Sequence, residues 1–167
     1  QKHKQVELFF REKKEGLGRA YLSAFRHVLQ DTDVEYIVTM DADHSHDPEY
    51  LPAMLECAKN HDVVVGSRYC HGGGTQGWEF WRVVLSRFGN LYARFVTRTP
   101  VNDMTAGFIV LRASFLRSSP LERIELSGYA FLMELKYLQW RRGARMAEVP
   151  IIFKNRREGE SKITNHI

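Results

Sequence analysis

Apolar positions along the chain follow two different patterns, which alternate from one end to the other. Segments with helical spacing, in which apolar residues recur every three or four positions, lie at 17–28, 48–59, 78–98 and 128–142. Short, continuous apolar runs lie at 6–10, 36–40, 63–65, 108–111 and 147–153. Such runs are typical of strands that are buried on both faces of a parallel sheet. The alternation predicts an α/β protein in which helices cover a largely parallel sheet, with a flexible loop at 71–77.

Two carboxylates follow the second of these predicted strands. Asp41 and Asp43 come directly after the run 36–40. In open α/β sheets the carboxyl ends of the strands form the edge at which ligands bind. Because side chains alternate along an extended chain, we expect both carboxylates on one side, where they suit Mg²⁺ or Mn²⁺ together with phosphate oxygens. The alternative is an acidic turn that caps the helix starting near Pro48, but the position after a buried strand favours a ligand site.

The histidines of this segment raise the question of a zinc site. His44 and His46 flank Ser45, and the sequence offers no HxxxH or CxxC pattern further along. A catalytic zinc site needs about three nitrogen, sulfur or carboxylate ligands from the protein. We therefore interpret both histidines as surface residues or as supports for the acidic pair.

Basic residues are placed to reach the same edge of the sheet. Arg68 closes the strand predicted at 63–65, and its guanidinium suits a diphosphate by bidentate contact, although a surface ion pair is the alternative. Arg156 and Lys162 lie in a polar, basic tail that contains Gly159. The tail is either a solvated loop or a lid that brings both cations onto departing phosphates.

The segment 78–98 has two interpretations. It carries an apolar stripe and four arginines, at positions 82, 87, 94 and 98. It could lie on a membrane, with its aromatic residues in the lipid and its arginines at the headgroups. The apolar stripe favours the other interpretation, a helix packed on the sheet with an arginine-rich outer face.

Composition and charge narrow the classes of partner. The 167 residues carry a net charge of +4, which suits an anionic ligand or an anionic membrane surface. No cluster of basic residues is interleaved with aromatics, so nucleic acid is not an expected partner. Cys57 and Cys70 give neither a disulfide framework nor metal-ligand spacing, which favours reduced thiols and a cytoplasmic setting. No apolar stretch approaches the roughly 20 residues of a membrane span, and no signal peptide opens the chain.

Several motifs occur in an order that resembles a known family. They are GLGRA, MDADHSHDP, GSRY, a GGG loop with GWEFWR, DMTAGF, GYAFLMELKY and EVPIIFKNRREGESK. Together they are similar to the dolichol-phosphate mannosyltransferases and their bacterial polyprenol-phosphate relatives, within family 2 of the inverting glycosyltransferases. The resemblance covers nearly the whole chain.

The resemblance implies a fold and a reaction. The fold would be the GT-A nucleotide-diphospho-sugar fold, a three-layer α/β/α arrangement with a mostly parallel sheet. Residues 1–167 would form a single, partial domain, because the strand ending in Pro-x-Tyr-Asn-Glu and the following nucleotide-base strand of the family are not in this sequence. The donor would be GDP-mannose, or another nucleotide sugar such as UDP-glucose. The acceptor would be a polyprenyl or dolichyl phosphate at the cytoplasmic face of a membrane.

The resemblance also implies roles for individual residues. Asp41, Ala42 and Arg68 match donor contacts, and Asp43 matches the residue that meets both donor and metal. Ser45 falls at a third position near the metal, where the family often has Gln. The diphosphate would be held by Arg156 and Lys162, and the acceptor phosphate by Arg82 and Arg87.

A catalytic base would be of little use if the acceptor is a phosphate, which is already an anion. If one acts, Asp103 of DMTAGF is the candidate, with turn capping as the alternative role. Asp43 and Arg68 would then stabilise the charge of the departing diphosphate.

Two other functions remain open from the sequence. A nucleotidyltransferase also uses paired acids with a metal at a sheet edge, but the ordered GSRY and TAGF segments speak against it. A non-catalytic binding module is less favoured because several basic residues converge on the acidic pair.

Overall fold

The computed structural model describes residues 6–10, 13, 15–126 and 128–155. Five α-helices form in this part of the chain: α1 (Leu17–Val28), α2 (Leu51–Ala58), α3 (Phe80–Thr97), α4 (Ala113–Arg117) and α5 (Gly128–Arg141). Short 3₁₀ turns at Pro48–Tyr50 and Leu121–Arg123 precede α2 and follow α4. The four helices expected from the sequence are therefore confirmed, whereas α4 was not predicted.

Four strands form the main sheet. They are β1 (Tyr36–Thr39), β2 (Val63–Ser67), β4 (Ile109–Arg112) and β5 (Met146–Pro150), in the spatial order β1-β4-β2-β5. Strand β4 is antiparallel to both β1 and β2, and β2 is parallel to β5. The expectation of a mostly parallel sheet is wrong, because the sheet is mixed. The side chain of Asp103, which precedes β4, accepts a hydrogen bond from the backbone N–H of Arg68 at the end of β2, and Val65 pairs with Ile109. Strand β4 therefore starts at the edge where β2 ends and runs in the opposite direction.

Three other expectations from the sequence need correction. The loop predicted at 71–77 contains β3 (Gly74–Gln76), which pairs in parallel with β6 (Ile152–Lys154). The run predicted as one strand at 147–153 is divided between β5 and β6. Residues 6–10 form no strand, and their apolar side chains are exposed, because no neighbouring strand of the described residues pairs with them.

The core lies on both faces of the main sheet. Residues Val63 and Val65 of β2 face a cluster with Phe25 of α1 and Leu135 of α5. Val64 faces the opposite cluster, in which Met54 of α2 packs. This alternation along β2 follows from the period of two in a strand. Helices thus cover both faces, and the α/β layering predicted from the sequence is confirmed.

Helix α3 departs from this arrangement. Its buried residues are Asn90 and Ala93, whereas its large apolar side chains are exposed, including Phe88 at 68% and Phe95 at 82%. The preferred sequence interpretation, an apolar stripe packed on the sheet, is therefore wrong. The small side of the helix faces the protein instead, where Asn90 bonds to Thr105.

Of the helices in the described residues, none combines the length and the apolar character that crossing a bilayer requires.

Candidate active site

The acidic segment forms an irregular turn directly after β1. Asp41 and Asp43 are both half-buried, Ala42 between them is exposed, and His44 adopts a positive φ of 62°. The backbone N–H and the hydroxyl of Ser45 donate to Asp43 Oδ1 at 3.1 and 2.5 Å. Ser45 is fully buried. The predicted role of Ser45 as a metal ligand does not fit this geometry, because its hydroxyl orients Asp43 and does not reach open space.

His46 supports the acidic turn from inside the protein. Its Nδ1 accepts a hydrogen bond from the backbone N–H of Asp41 at 2.9 Å, and its ring stacks on Phe108. Burial lowers the pKa of His46, while the charges of Asp41 and Asp43 oppose that change. A neutral imidazole is also what an accepting Nδ1 requires. His44 is exposed, so the two histidines fill the two roles that the sequence suggested, a surface residue and a support.

Asp41 lies against the segment that precedes β4. A methyl group added at Gly107 would lie 4.0 Å from Asp41 Oδ1 and 3.9 Å from the hydroxyl of Tyr21. Burial and the negative charge of Asp41 raise the pKa of Tyr21 to about 12. The end of β1, helix α1 and the start of β4 therefore meet at this carboxylate.

Arg68 makes a buried ion pair that the sequence did not predict. Its Nε and Nη2 donate to the two carboxylate oxygens of Asp103, each at 2.7 Å, and Nη2 also donates to Thr105 Oγ1 at 2.7 Å. The backbone N–H of Arg68 donates to Asp103 Oδ2 at 3.0 Å. Such bidentate, charge-assisted pairing fixes the plane of the guanidinium.

The same pair bears on the proposal that Asp103 is a base. Burial alone would raise the pKa of Asp103, but the hydrogen bonds and the charge of Arg68 outweigh it and hold the pKa below its ordinary value. Asp103 also has no exposed surface. A carboxylate that is both paired and enclosed is a poor proton acceptor, so we revise its role to that of a group that orients Arg68.

Aromatic rings connect the arginines of this region. The guanidinium of Arg82 lies 4.0 Å from the Trp78 ring, and that of Arg68 lies 5.4 Å from the same ring. The Tyr69 ring likewise lies 5.1 Å from the guanidinium of Arg68 and 5.8 Å from that of Arg87. These distances are within the range of cation–π attraction. We call Arg68, Arg82 and Arg87 with these two rings the arginine cluster.

The arginine cluster includes residues that the sequence reasoning missed. The sequence predicted no separate role for Trp78 or Tyr69, although an aromatic residue close in sequence to an arginine was the available signal. Within the described part of the chain, Trp78 Nε1 and Arg82 Nε are buried and have no hydrogen-bond partner. Buried donors of this kind are uncommon, and these two are available to a bound polar group or to water.

The acidic turn and the arginine cluster lie at one place. Asp41, Asp43 and Arg68 all act on the pKa of His46, and the Phe153 ring contacts His46, Trp78 and Arg68. Arg68 therefore lies close to the acidic turn, and its predicted contact with a donor stays a prediction. Arg156 and Lys162 lie outside the described residues.

The chemistry of the carboxylates can be compared with that of a metal site. No group of three or more His, Cys, Asp or Glu side chains suited to a metal occurs among the residues that the structure describes. Mg²⁺ is commonly held by one or two carboxylates, with substrate phosphates and waters completing the shell. Two half-buried carboxylates fit that kind of site and do not fit a cage made by protein alone.

Comparison with known proteins places this site in a family. Residues 1–119 match the sequence model of glycosyl transferase family 2, a span that contains the acidic turn, the arginine cluster and Asp103. The chain belongs to glycosyl transferase family 2. Two relatives in this family are an undecaprenyl-phosphate mannosyltransferase of Micrococcus luteus, 41% identical over 97% of this chain, and a polyprenol monophosphomannose synthase of Mycolicibacterium smegmatis, 37% identical over 96%. The chain spans 66% and 60% of the lengths of these two proteins.

Proposed function

We propose that this chain carries the catalytic centre of an inverting transferase that moves mannose from GDP-mannose to a polyprenyl or dolichyl phosphate. The observation that supports it is the meeting of two half-buried carboxylates with the arginine cluster at one edge of the sheet. Such a site suits a reaction in which donor, acceptor and leaving group are all phosphates. The names of the two relatives agree with this substrate class.

The chemistry needs positioning more than proton transfer. An oxygen of the acceptor phosphate attacks the anomeric carbon of the sugar, and the bond from that carbon to the nucleoside diphosphate breaks, which inverts the configuration. The acceptor is already an anion, so no strong base is required. This agrees with an Asp103 that is paired and enclosed.

The cations of the site have different proposed roles. Arg68 is neutralised in part by Asp103, so its contribution is a fixed hydrogen-bonding plane at the donor diphosphate. We propose that Arg82 and Arg87 meet the acceptor phosphate, and that the unpartnered Nε of Arg82 marks that position. Arg156 and Lys162 are proposed to cover the diphosphate as it leaves.

Asp41 and Asp43 would hold Mg²⁺ or Mn²⁺, with Ser45 fixing the rotamer of Asp43. When bound, this ion supplies positive charge that stabilises the departing diphosphate. Ala42, exposed between the two carboxylates, is proposed to contact the donor through its backbone. Within this proposal, residues 1–167 form part of a GT-A domain.

We further propose that helix α3 binds an anionic membrane surface. Its exposed apolar residues are Phe80, Trp81, Val84, Leu85, Phe88, Leu91, Tyr92, Phe95 and Val96, which we call the α3 apolar face. The same helix exposes Arg87 and Arg94, and Arg98 follows it. Apolar residues with flanking arginines suit an interfacial helix among anionic headgroups. A prenyl chain embedded in such a surface would present its phosphate near Arg82 and Arg87.

The test is a transfer assay with the full-length protein. Radiolabelled GDP-mannose and UDP-glucose are each incubated with a polyprenyl phosphate and Mn²⁺, and lipid-linked sugar is extracted. We expect mannose transfer, reduced on the order of 100-fold or more by Asp43→Asn, because this change removes one charge from the group that would hold the metal. Glu56→Gln removes one charge from a surface ion pair with Lys59 and is expected to leave the rate unchanged.

Other outcomes would identify other functions. Glucose transfer without mannose transfer would leave the mechanism but change the donor. Release of pyrophosphate from a nucleoside triphosphate and a sugar phosphate would indicate a nucleotidyltransferase. GDP binding without transfer would indicate a binding module, and a normal rate in Asp43→Asn would remove the metal assignment.

A further inference from the structure

Lys136 is a buried cation that the proposed mechanism does not use. It lies on α5, with 1% of its surface exposed. Its Nζ donates to the carbonyl oxygens of Ala106 at 2.7 Å and of Met104 at 3.0 Å, and it lies 3.5 Å from the carbonyl of Leu132. Burying an ammonium group costs several kcal/mol unless good partners surround it. A lysine kept in such a place therefore needs an explanation beyond packing.

The two carbonyls belong to the segment that carries Asp103. Residues 102–106, which we call the Asp103 loop, form the middle of the connection between α3 and β4 and have no regular secondary structure. Their polar backbone groups cannot use a helix or a ladder and must find side chains. Lys136 takes two carbonyls, Glu148 accepts from the N–H groups of Asn102 and Asp103 at 2.8 and 3.0 Å, and Asn90 accepts from that of Thr105 at 3.1 Å.

The charges around Lys136 are balanced. It faces the Asp103 carboxylate of the loop, Arg68 at the end of β2 and Glu148 of β5, so that two cations meet two anions. Burial lowers the pKa of Lys136 to about 7, and the two carboxylates act against that change. Loss of the lysine would leave the two carbonyls without this donor.

We infer that Lys136 is a positioning residue for sugar transfer: by holding two carbonyl groups of the Asp103 loop, it fixes the carboxylate that orients Arg68. This inference rests on the proposed function, because it makes Arg68 the group that is positioned. The chain of contacts runs from Lys136 to the backbone of the loop, then to Asp103, and then to both nitrogen donors of Arg68. None of these steps requires Lys136 to touch a substrate.

The test replaces Lys136 by Met in the full-length protein, which preserves side-chain length and removes the donor. Gln139→Met is the matched control. Gln139 lies on the same helix, is also 1% exposed, and accepts a hydrogen bond from Ser119 instead of contacting the loop. When a group that acts in the transition state is misplaced, turnover falls more than substrate affinity does. We therefore expect kcat of Lys136→Met to fall by roughly 10- to 100-fold. The KM for the nucleotide sugar should change by less than about threefold, and Gln139→Met should keep its kcat.

Hydrogen exchange gives a second reading that does not need turnover. Amides of the Asp103 loop, residues 102–106, should exchange faster in Lys136→Met than in the parent, while Gln139→Met leaves them protected. Unchanged exchange in the loop, or faster exchange with an unchanged kcat, would overturn the inference. A parent protein that transfers no mannose would instead contradict the proposed function, and the exchange experiment would still decide whether Lys136 holds the loop.

Discussion

Helices α3 and α5 have similar apolar patterns in the sequence, but large apolar side chains are buried in α5 and exposed in α3. Both are long segments with apolar residues at helical spacing. Helix α5 buries Phe131, Leu132 and Leu135, and with them the polar Lys136 and Gln139. Helix α3 buries Asn90 and Ala93 and leaves the α3 apolar face exposed. The apolar content of a helix therefore does not decide which of its faces is enclosed; the partners that pack against it do.

The difference has a physical reason in each case. Helix α5 can bury a lysine because the Asp103 loop presents two carbonyl groups that accept hydrogen bonds from Nζ. Helix α3 turns its small side to the protein because Asn90 makes two hydrogen bonds with Thr105 there. In α5 a polar residue enters the core to satisfy the backbone, and in α3 large apolar residues remain outside. This contrast is expected if α5 packs against the sheet and the α3 apolar face contacts a surface outside this chain.

The largest expected effect on stability comes from comparing one leucine of α5 with one leucine of α3. Leu135→Ala in α5 removes a side chain that is 1% exposed, and should lower the free energy of unfolding by about 2–5 kcal/mol. Leu91→Ala in α3 removes one that is 63% exposed, and should change it by less than about 0.5 kcal/mol. Urea denaturation followed by circular dichroism measures both. Equal losses in the two variants would mean that the α3 apolar face is covered in the folded protein.

Vesicle binding tests whether the α3 apolar face contacts a membrane. Phe95 is 82% exposed, and Phe95→Ser should lower partitioning onto vesicles that contain anionic lipid by about 10- to 100-fold, because a buried aromatic side chain contributes roughly 1.5–3 kcal/mol. Vesicles of neutral lipid should bind the parent more weakly, since the flanking arginines then have no counter-charge. Binding that depends on neither the ring nor the lipid charge would remove the membrane from the proposal.

The sequence predicted the parts of this molecule that depend on local pattern. Four of the five helices in the described residues, the central strands and the acid pair after β1 follow from periodicity and from the position of Asp41 and Asp43. The ion pair of Arg68 with Asp103 joins residues that are 35 positions apart, and no local spacing indicates it. The direction of β4 was missed for the same reason, because it depends on where a long connection returns to the sheet. Lys136 carries no local signal of its burial, because its two carbonyl partners lie 32 and 30 positions away in the chain.

The buried lysine of α5 also predicts how stability depends on pH. The folded-state pKa of Lys136 is about 7, below its ordinary value of 10.5, so the unfolded chain binds more protons between these two values. Stability of the parent should therefore rise with pH across that window, and the cost of the buried charge is greatest below it. Relative to Lys136→Met, the parent should gain about 2 kcal/mol between about pH 7 and about pH 9.

Denaturation of both variants at each pH measures this gain, and groups common to the two proteins cancel in the difference. A difference that stays constant with pH would mean that Lys136 keeps its ordinary pKa and is not enclosed as described. A difference that falls with pH would mean that its charged form is stabilised by the fold.

Two helical glycines give the smallest effects, and the first lies against α5. Gly18 in α1 is so close to it that an added methyl group would lie 2.9 Å from both the carbonyl oxygen of Leu126 and Cδ2 of Phe131. Overpacking at such a site costs about 1–3 kcal/mol, and the better helix propensity of alanine offsets part of it. Gly18→Ala should thus lower the free energy of unfolding by about 1–2 kcal/mol, measured by urea denaturation.

The matching glycine on α3 should respond with the opposite sign. A methyl group added at Gly89 would meet no atom within 4 Å. Alanine there adds helix propensity without a clash, so Gly89→Ala should raise the free energy of unfolding by about 0.5–1 kcal/mol in the same assay. A loss of stability at this position would show that the surface around Gly89 is packed in solution. Such a loss would therefore contradict the conclusion that α3 is exposed around Gly89 whereas α5 is packed against the rest of the protein.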